Sequence, residues 1–480
     1  MTATPPAAAG TPPPVAGQPV ALGTAPGRWV LLATVLASAM ALLDATAVTV
    51  ALPSISRDLG SSLSGLQWTV TGYTLALASL VLLGGSLGDR YGRRRVFVLG
   101  VVWFAVASLA CGLAQTTGQL VTARVLQGVG GALLTPGSLA IIQASFRHQD
   151  RPRAIGLWSA LGGLAGLVGP FLAGSLVDTV GWRWVFGINV PFAVVVVLVA
   201  ARHLPESRDP GRTGRFDVLG AVLGALALAG VTDALISAGS DPGSPEVWVA
   251  AAVGALAGAA FVVRERRAAQ PMLPLGIFAD RQFTGANLST LAVYGALGGV
   301  MFFLVLQLQT VLGYDATAAG AALLPTILVI TLLSARAGAL AQRIGPRLPM
   351  TAGPLVAAGG LLWLTRVGPG SSYWVDVLPG SLGLGLGMSL VVAPLTATVL
   401  GAAPDHLAGV ASGVNNAVAR AANLLAIAAL PVAVGLSGDD HTDAASFSSG
   451  YSLAVGLCAG VMVLGAAVSW ATVRNDVLRT

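Results

Sequence analysis

Between residues 29 and 473 one pattern recurs: an apolar run long enough to cross a bilayer as a helix, then a short polar break. The runs fall at 29–53, 66–88, 96–114, 119–143, 154–177, 184–203, 217–237, 246–263, 284–310, 317–336, 349–366, 375–400, 408–435 and 450–473, fourteen in all. No other feature limits the fold so strongly. Inside a bilayer the backbone must satisfy its own polar groups, which leaves helices or closed barrels, and runs of this length read as helices. Charge agrees with this reading. Only 10% of the 480 residues are charged and 55% are hydrophobic, whereas soluble domains carry about a quarter charged residues. The expected class is an all-α integral membrane protein.

The polar breaks orient the chain. All 26 basic residues are Arg. With the N-terminus in the cytoplasm, 20 of the 26 fall in cytoplasmic loops and tails, only Arg57, Arg183 and Arg366 in outer loops, and Arg124, Arg336 and Arg420 within helices. Cytoplasmic loops collect Arg and Lys, so both termini are expected inside the cell membrane. The 437–450 loop, acidic and without Arg, is expected outside. Because the +6 charge is spread over short loops on one bilayer face, nucleic acid is excluded as a partner. Residues 1–28, Pro/Ala/Gly-rich with no basic stretch before an apolar core, read as a disordered cytoplasmic tail and not a signal peptide. Cys111 and Cys458 lie in apolar runs and read as buried free thiols; no metal-ligand spacing is present. Nor is there a Walker loop, an HExxH, a nucleophile elbow or a soluble domain. An enzyme is therefore not expected, nor any cofactor, and without a nucleotide site an ion gradient must drive any uphill work.

An internal repeat divides the chain. After the second run stands GSLGDRYGRR, beginning at Gly85; after the tenth stands GALAQRIGPR, beginning at Gly338. Gly, Arg, Gly and Arg align without a gap, 253 residues apart. Two related six-helix halves are thus expected, as in many transporters, at 29–205 and 271–480, with the Ala/Gly-rich seventh and eighth runs inserted at 206–270. In the first loop Gly85, Gly88 and Gly92 permit turns and close approach, Asp89 can accept from N–H groups at a neighbouring helix end, and Arg90, Arg93 and Arg94 hold the loop inside. This arrangement suits a latch between helix pairs that breaks when the halves rock.

GGSLGDRYGRRR (84–95) resembles the signature loop of the major facilitator superfamily. Other segments resemble its fourteen-helix drug:proton antiporters. These are LDATAVTVALP (43–53, Thr49 where Asn is usual), LVTARVLQGVGGA (120–132), GLAGLVGPFLAG (163–174, Ala173 for one Gly), GWRWVFGINVPF (181–192), and the stretches 382–401 and 409–426. In the last of these Arg420 is shifted by one position and Asn423 interrupts the usual Gly-rich run. The resemblance implies a proton-coupled exporter of hydrophobic or cationic small molecules, working as a monomer. The alternative, a symporter or facilitator taking up a nutrient, lacks the glycine–proline antiporter motif of helix 5.

Candidate residues follow. Asp44 is the one acid in the first run and shares its face with Ala37, Met40, Ala41, Ala47, Val48 and Ala51, small residues that mark helix contacts. An inward carboxylate in a membrane is a functional candidate; burial should raise its pKa toward values where protons load and leave, although a structural anchor remains open. At about 1.5 Å per residue, Arg124 lies about 8 Å and Asp44 about 13 Å from the outer face, close enough to pair. The resemblance implicates Arg124 in proton coupling. Gly162, Gly166, Gly169, Pro170 and Gly174 form a small-residue, kinked hinge in helix 5. Gln127, Asn189, Gln307, Gln309, Asn415, Asn416 and Arg420 are expected to line a cavity or to glue helices, and Asp233 to be structural.

Overall fold

The computed structural model describes residues 20–208, 217–268, 271–404 and 407–475. The expected tail therefore lies outside the described residues as far as residue 19, as do parts of the linkers around the inserted pair. Among the described residues, thirteen helices are long and apolar enough to cross a membrane. They are α1 (Ala25–Leu59), α2 (Leu63–Tyr91), α3 (Arg93–Gly112), α4 (Thr117–Ser145), α5 (Arg151–Thr179), α6 (Arg183–His203), α7 (Val218–Ser240), α8 (Pro245–Arg267), α9 (Arg281–Val311), α10 (Ala316–Ile344), α12 (Tyr373–Gly401), α13 (Ala408–Ala433) and α14 (Ala444–Thr472). The fourteenth, α11 (Arg347–Leu364), is shorter and packs between α12 and α14. The helices outrun the apolar stretches because capping residues start them early. Thr24 accepts from Gly27 N before α1, Asp280 from Phe283 N before α9, and Asp443 from Ser446 N before α14. Ordered structure begins ahead of residue 28: Val20 N donates to Ser145 O (2.8 Å), tying the chain before α1 to the end of α4.

Helices α1–α6 pack on one another, as do α9–α14. The halves meet along two seams, α5 on α10 and α2 on α13. α7 and α8 pair through Gly230 and Gly254, where an added Cβ would stand 2.6–2.7 Å from the partner backbone, and α7 rests against both α2 and α13. Large apolar side chains such as Leu113, Leu256, Trp248 and Leu464 are more than 60% exposed, as suits a bundle whose solvent is lipid.

The repeat read from the sequence is also a repeat of geometry. Gly92 and Gly345 both have positive φ (+114° and +91°) at the turn between two helices. Two residues on, Arg94 N donates to Glu206 Oε1 (3.1 Å) and Arg347 N to Asn475 Oδ1 (3.2 Å). In each half a side chain from beyond the sixth helix thus caps the third. Neither glycine tolerates a Cβ, which would stand 2.7 Å from the Glu206 carboxyl or 2.3 Å from Asn475 Oδ1.

Candidate functional site: a buried acid–guanidinium cluster in the first half

Asp44 projects from the middle of α1 and is fully buried. Arg124, in the second turn of α4, is 1% exposed, and its Nη1 reaches Asp44 Oδ2 at 2.5 Å. Gln127, one turn further along α4, donates to Asp44 Oδ1 (2.8 Å), and Asn189 of α6 donates to the same oxygen (3.1 Å). Both amides also donate to Ser108 Oγ of α3 (2.7 and 3.2 Å). The guanidinium gives further bonds to Gln127 Oε1 (2.6 Å) and to the Thr69 carbonyl of α2 (3.1 Å), and lies 4.4 Å over the Tyr73 ring. Five helices therefore converge on one ion pair. Asn189 is placed by a break in α6, whose first segment ends at Gly187 and whose second begins at Asn189. Its Oδ1 has no partner.

Three donors from Arg124, Gln127 and Asn189 satisfy the Asp44 carboxyl group and offset the loss of water around it. The pair and its amide and carbonyl partners tie α1 to α2, α4 and α6. Sequence reading identified Asp44 and Arg124 and placed them at compatible depths. It missed Thr69 and Ser108, whose only signal is that they are hydroxyl residues within apolar runs.

The remaining candidates divide. Gln127 and Asn189 do not line a cavity; they are sealed inside the bundle and hold Asp44. Gln307 is equally sealed, donating to Val367 O (2.8 Å) and Ser448 Oγ (3.1 Å) within the second half. Asn415 bonds Asn287 and Thr290 of α9 and is helix glue. Asn416 is exposed and bonds back to Ser412 O, and Arg420 is partly exposed. Asp233, half-buried on α7, lies on the helix that touches both halves.

The helix 5 stripe does not act as one surface. Gly166 and Gly169 pack on Leu42, Leu43 and Thr46 of α1, inside the same half, and a Cβ at Gly162 would meet nothing. Contact with the other half is made by Pro170 and Gly174: a Cβ on Gly174 would lie 2.2 Å from Ala316 O, and one on Gly320 the same distance from Pro170 O. Gly320, absent from the sequence candidates, is the reciprocal half of this crossing.

At 85–95 the loop packs on α4 and on the segment after α6. Gly85 lies beside Pro136 of α4, and Asp89 pairs with Arg93 four residues on (2.9 Å). The carboxylate that accepts from a neighbouring helix end belongs to Glu206, which takes Arg94 N and sits 3.7 Å from Arg95 Nε, while Arg94 Nη1 donates to Leu204 O (3.0 Å). Arg90 stacks on Tyr91. These contacts lie within the first half. α6 packs on α3, so the segment after it lies beside the start of α3.

Hydrogen bonds between the halves, among the described residues, all lie at the end of the bundle away from the arginine loops. Gln67 of α2 donates to Ile427 O and Ala428 O (2.7 and 3.2 Å), Gln309 to Val50 O (2.9 Å), and the Ala316 and Thr317 amides to Asp178 (3.2 and 2.7 Å). Ser56 Oγ meets His441 Nε2 (2.8 Å) across the same face, beside a cavity of about 550 Å³ lined also by Arg57, Asp178 and Asp315. The structure is thus closed on this face.

Comparison with known proteins agrees with this architecture. Residues 34–427 match the family model described as Major Facilitator Superfamily. The puromycin resistance protein of Streptomyces alboniger is 36% identical over 467 residues, covering 94% of this chain and 93% of its own. The tetracenomycin C resistance and export protein of Streptomyces glaucescens is 36% identical, covering 84% and 75%; the methylenomycin A resistance protein of Bacillus subtilis is 34% identical, covering 89% and 93%. Among solved structures, a bacterial homolog of the human lysosomal transporter Spinster superposes with a TM-score of 0.65 at 18% identity, over 94% of this chain and 97% of that one. With two packed six-helix bundles, an inserted pair and a match over most of its length, the chain is a transporter, and it belongs to the major facilitator superfamily.

Proposed function

We propose that the protein is a proton-driven antiporter in the cell membrane. On this reading it exports small hydrophobic molecules, drugs or secondary metabolites, as a single chain with both termini and the arginine-rich face in the cytoplasm. The observation that carries this reading is the sealed Asp44–Arg124 pair, a charged group in a membrane bundle that the fold does not otherwise require. The names of the relatives, resistance and export proteins for antibiotics, support the direction and the cargo. With the arginine face inside, the closed face is external, and cargo enters from the cytoplasm. A proton arriving at Asp44 weakens its hold on Arg124 and repacks α1 against α4; proton loss restores the pair. The test is transport in proteoliposomes under an imposed pH gradient, over a panel of antibiotics. Uphill movement of cargo against inward proton flow is expected, abolished by Asp44→Asn. Cargo moving with the protons would replace export by uptake, and undiminished uphill export by Asp44→Asn would remove Asp44 from the mechanism.

A further inference from the structure

We propose that Arg420 anchors an acidic group on the cargo, so that the transported molecules are amphipathic organic anions. Arg420 is the thirteenth residue of α13, about 18 Å from its arginine-rich end and therefore near the centre of the span. Among the described residues it has no hydrogen bond and no ion pair; its Nε is buried without a partner while part of the side chain remains open. It differs in this from the other arginines within spans. Arg124 is neutralised by Asp44, and Arg336 is exposed eight residues from the end of α10, within reach of the interface by snorkelling.

The face of α13 that carries Arg420 looks across the seam. Gly413 abuts Leu82 of α2, and the Ile427 carbonyl, seven residues beyond Arg420, is bonded by Gln67 of α2. The Tyr73 hydroxyl, on α2 of the first half, also lacks a hydrogen-bond partner. An uncompensated charge at mid-membrane is costly to keep and is retained where something binds it. A guanidinium between two halves, on a helix whose neighbouring positions include Ala417 and Ala421, suits a carboxylate or enolate, held by paired N–H donors, on an otherwise apolar body. Sequence alone suggested hydrophobic or cationic compounds; the free cation in the seam selects acids.

The inference rests on the export reading for the word cargo, but the site can be tested without it. Fluorescein, an anion, and rhodamine 123, a cation on the same ring system, serve as probes of binding to the purified full-length protein, read by anisotropy. The wild type is expected to bind fluorescein about tenfold or more tightly than rhodamine 123, and Arg420→Gln to remove that difference, the worth of one charge-assisted pair. Arg420→Lys should retain an intermediate preference. Arg420→Gln removes an unpaired charge, so its thermal midpoint should not fall. Wild-type protein that binds no fluorescein, or binds it unchanged after Arg420→Gln, overturns the proposal. Arg420-dependent binding without proton-driven movement in proteoliposomes keeps the anion site and removes the export reading.

Discussion

Charge balance inside the first half can be tested by a double-mutant cycle. Asp44 and Arg124 are 0% and 1% exposed and separated by 2.5 Å. Asp44→Asn leaves Arg124 with Gln127 and the Thr69 carbonyl but no counter-charge. Breaking one side of a buried pair costs about 3–5 kcal/mol. Arg124→Gln leaves the carboxylate with Gln127 and Asn189 only and should cost a similar amount. The double variant carries no buried charge. It loses a few hydrogen bonds at about 1 kcal/mol each and the stacking on Tyr73, together about 2–4 kcal/mol. The cycle should therefore show a coupling of about 3 kcal/mol or more, with the double variant more stable than the sum of the singles predicts. Equilibrium unfolding in mixed micelles, followed by tryptophan fluorescence, measures it. Additive singles would mean that the pair is not an energetic unit and would remove the link between protonation and packing drawn above.

Three further expectations concern the turns and the closed face. Gly92→Ala forces a side chain to φ +114° and into the Glu206 carboxyl; it should cost at least about 1–2 kcal/mol, while Gly162→Ala, with open space, should be neutral or mildly stabilising by thermal denaturation. Gly320→Ala should loosen the α5–α10 seam, because the opposing atom is the Pro170 backbone carbonyl and cannot yield; a cysteine at Gln309 should then label faster with an impermeant maleimide, and an unchanged rate in a folded protein would refute the seam. Burial holds the His441 ring below the ordinary histidine value of 6.5. Ser56 Oγ donates to Ser61 O, so it accepts from His441 Nε2–H, and the neutral ring belongs to the closed face. A depressed histidine destabilises the form that buries it as pH falls through 6.5 toward the lower value. The same labelling should accelerate there and lose this dependence in His441→Gln; the charged groups around the ring are Asp439, Asp440, Asp178, Asp315 and Arg57.

What was legible in the chain was periodic or local. Apolar runs marked the helices, and the aligned Gly–Arg–Gly–Arg loops marked the two halves; the depth of Asp44 and Arg124 followed from helix rise alone. What was not legible depends on which helices become neighbours. Glu206 caps α3 from more than a hundred residues away, and nothing local distinguishes it from Asp89, which carries the same charge in the expected loop. Gln127 and Asn189 looked like cavity residues because polarity in a span signals an inward face without saying whether that face meets water or another helix. Their burial changes the mechanism. Asp44 lies inside the first half and Arg420 in the seam, so the proposed proton site and anion site are separate. On the proposed mechanism the message passes through α2, the one helix that offers Thr69 and Tyr73 to Arg124 and Gln67 to α13. A shift of Arg124 that moves Thr69 and Tyr73 also moves Gln67, and with it the closed face.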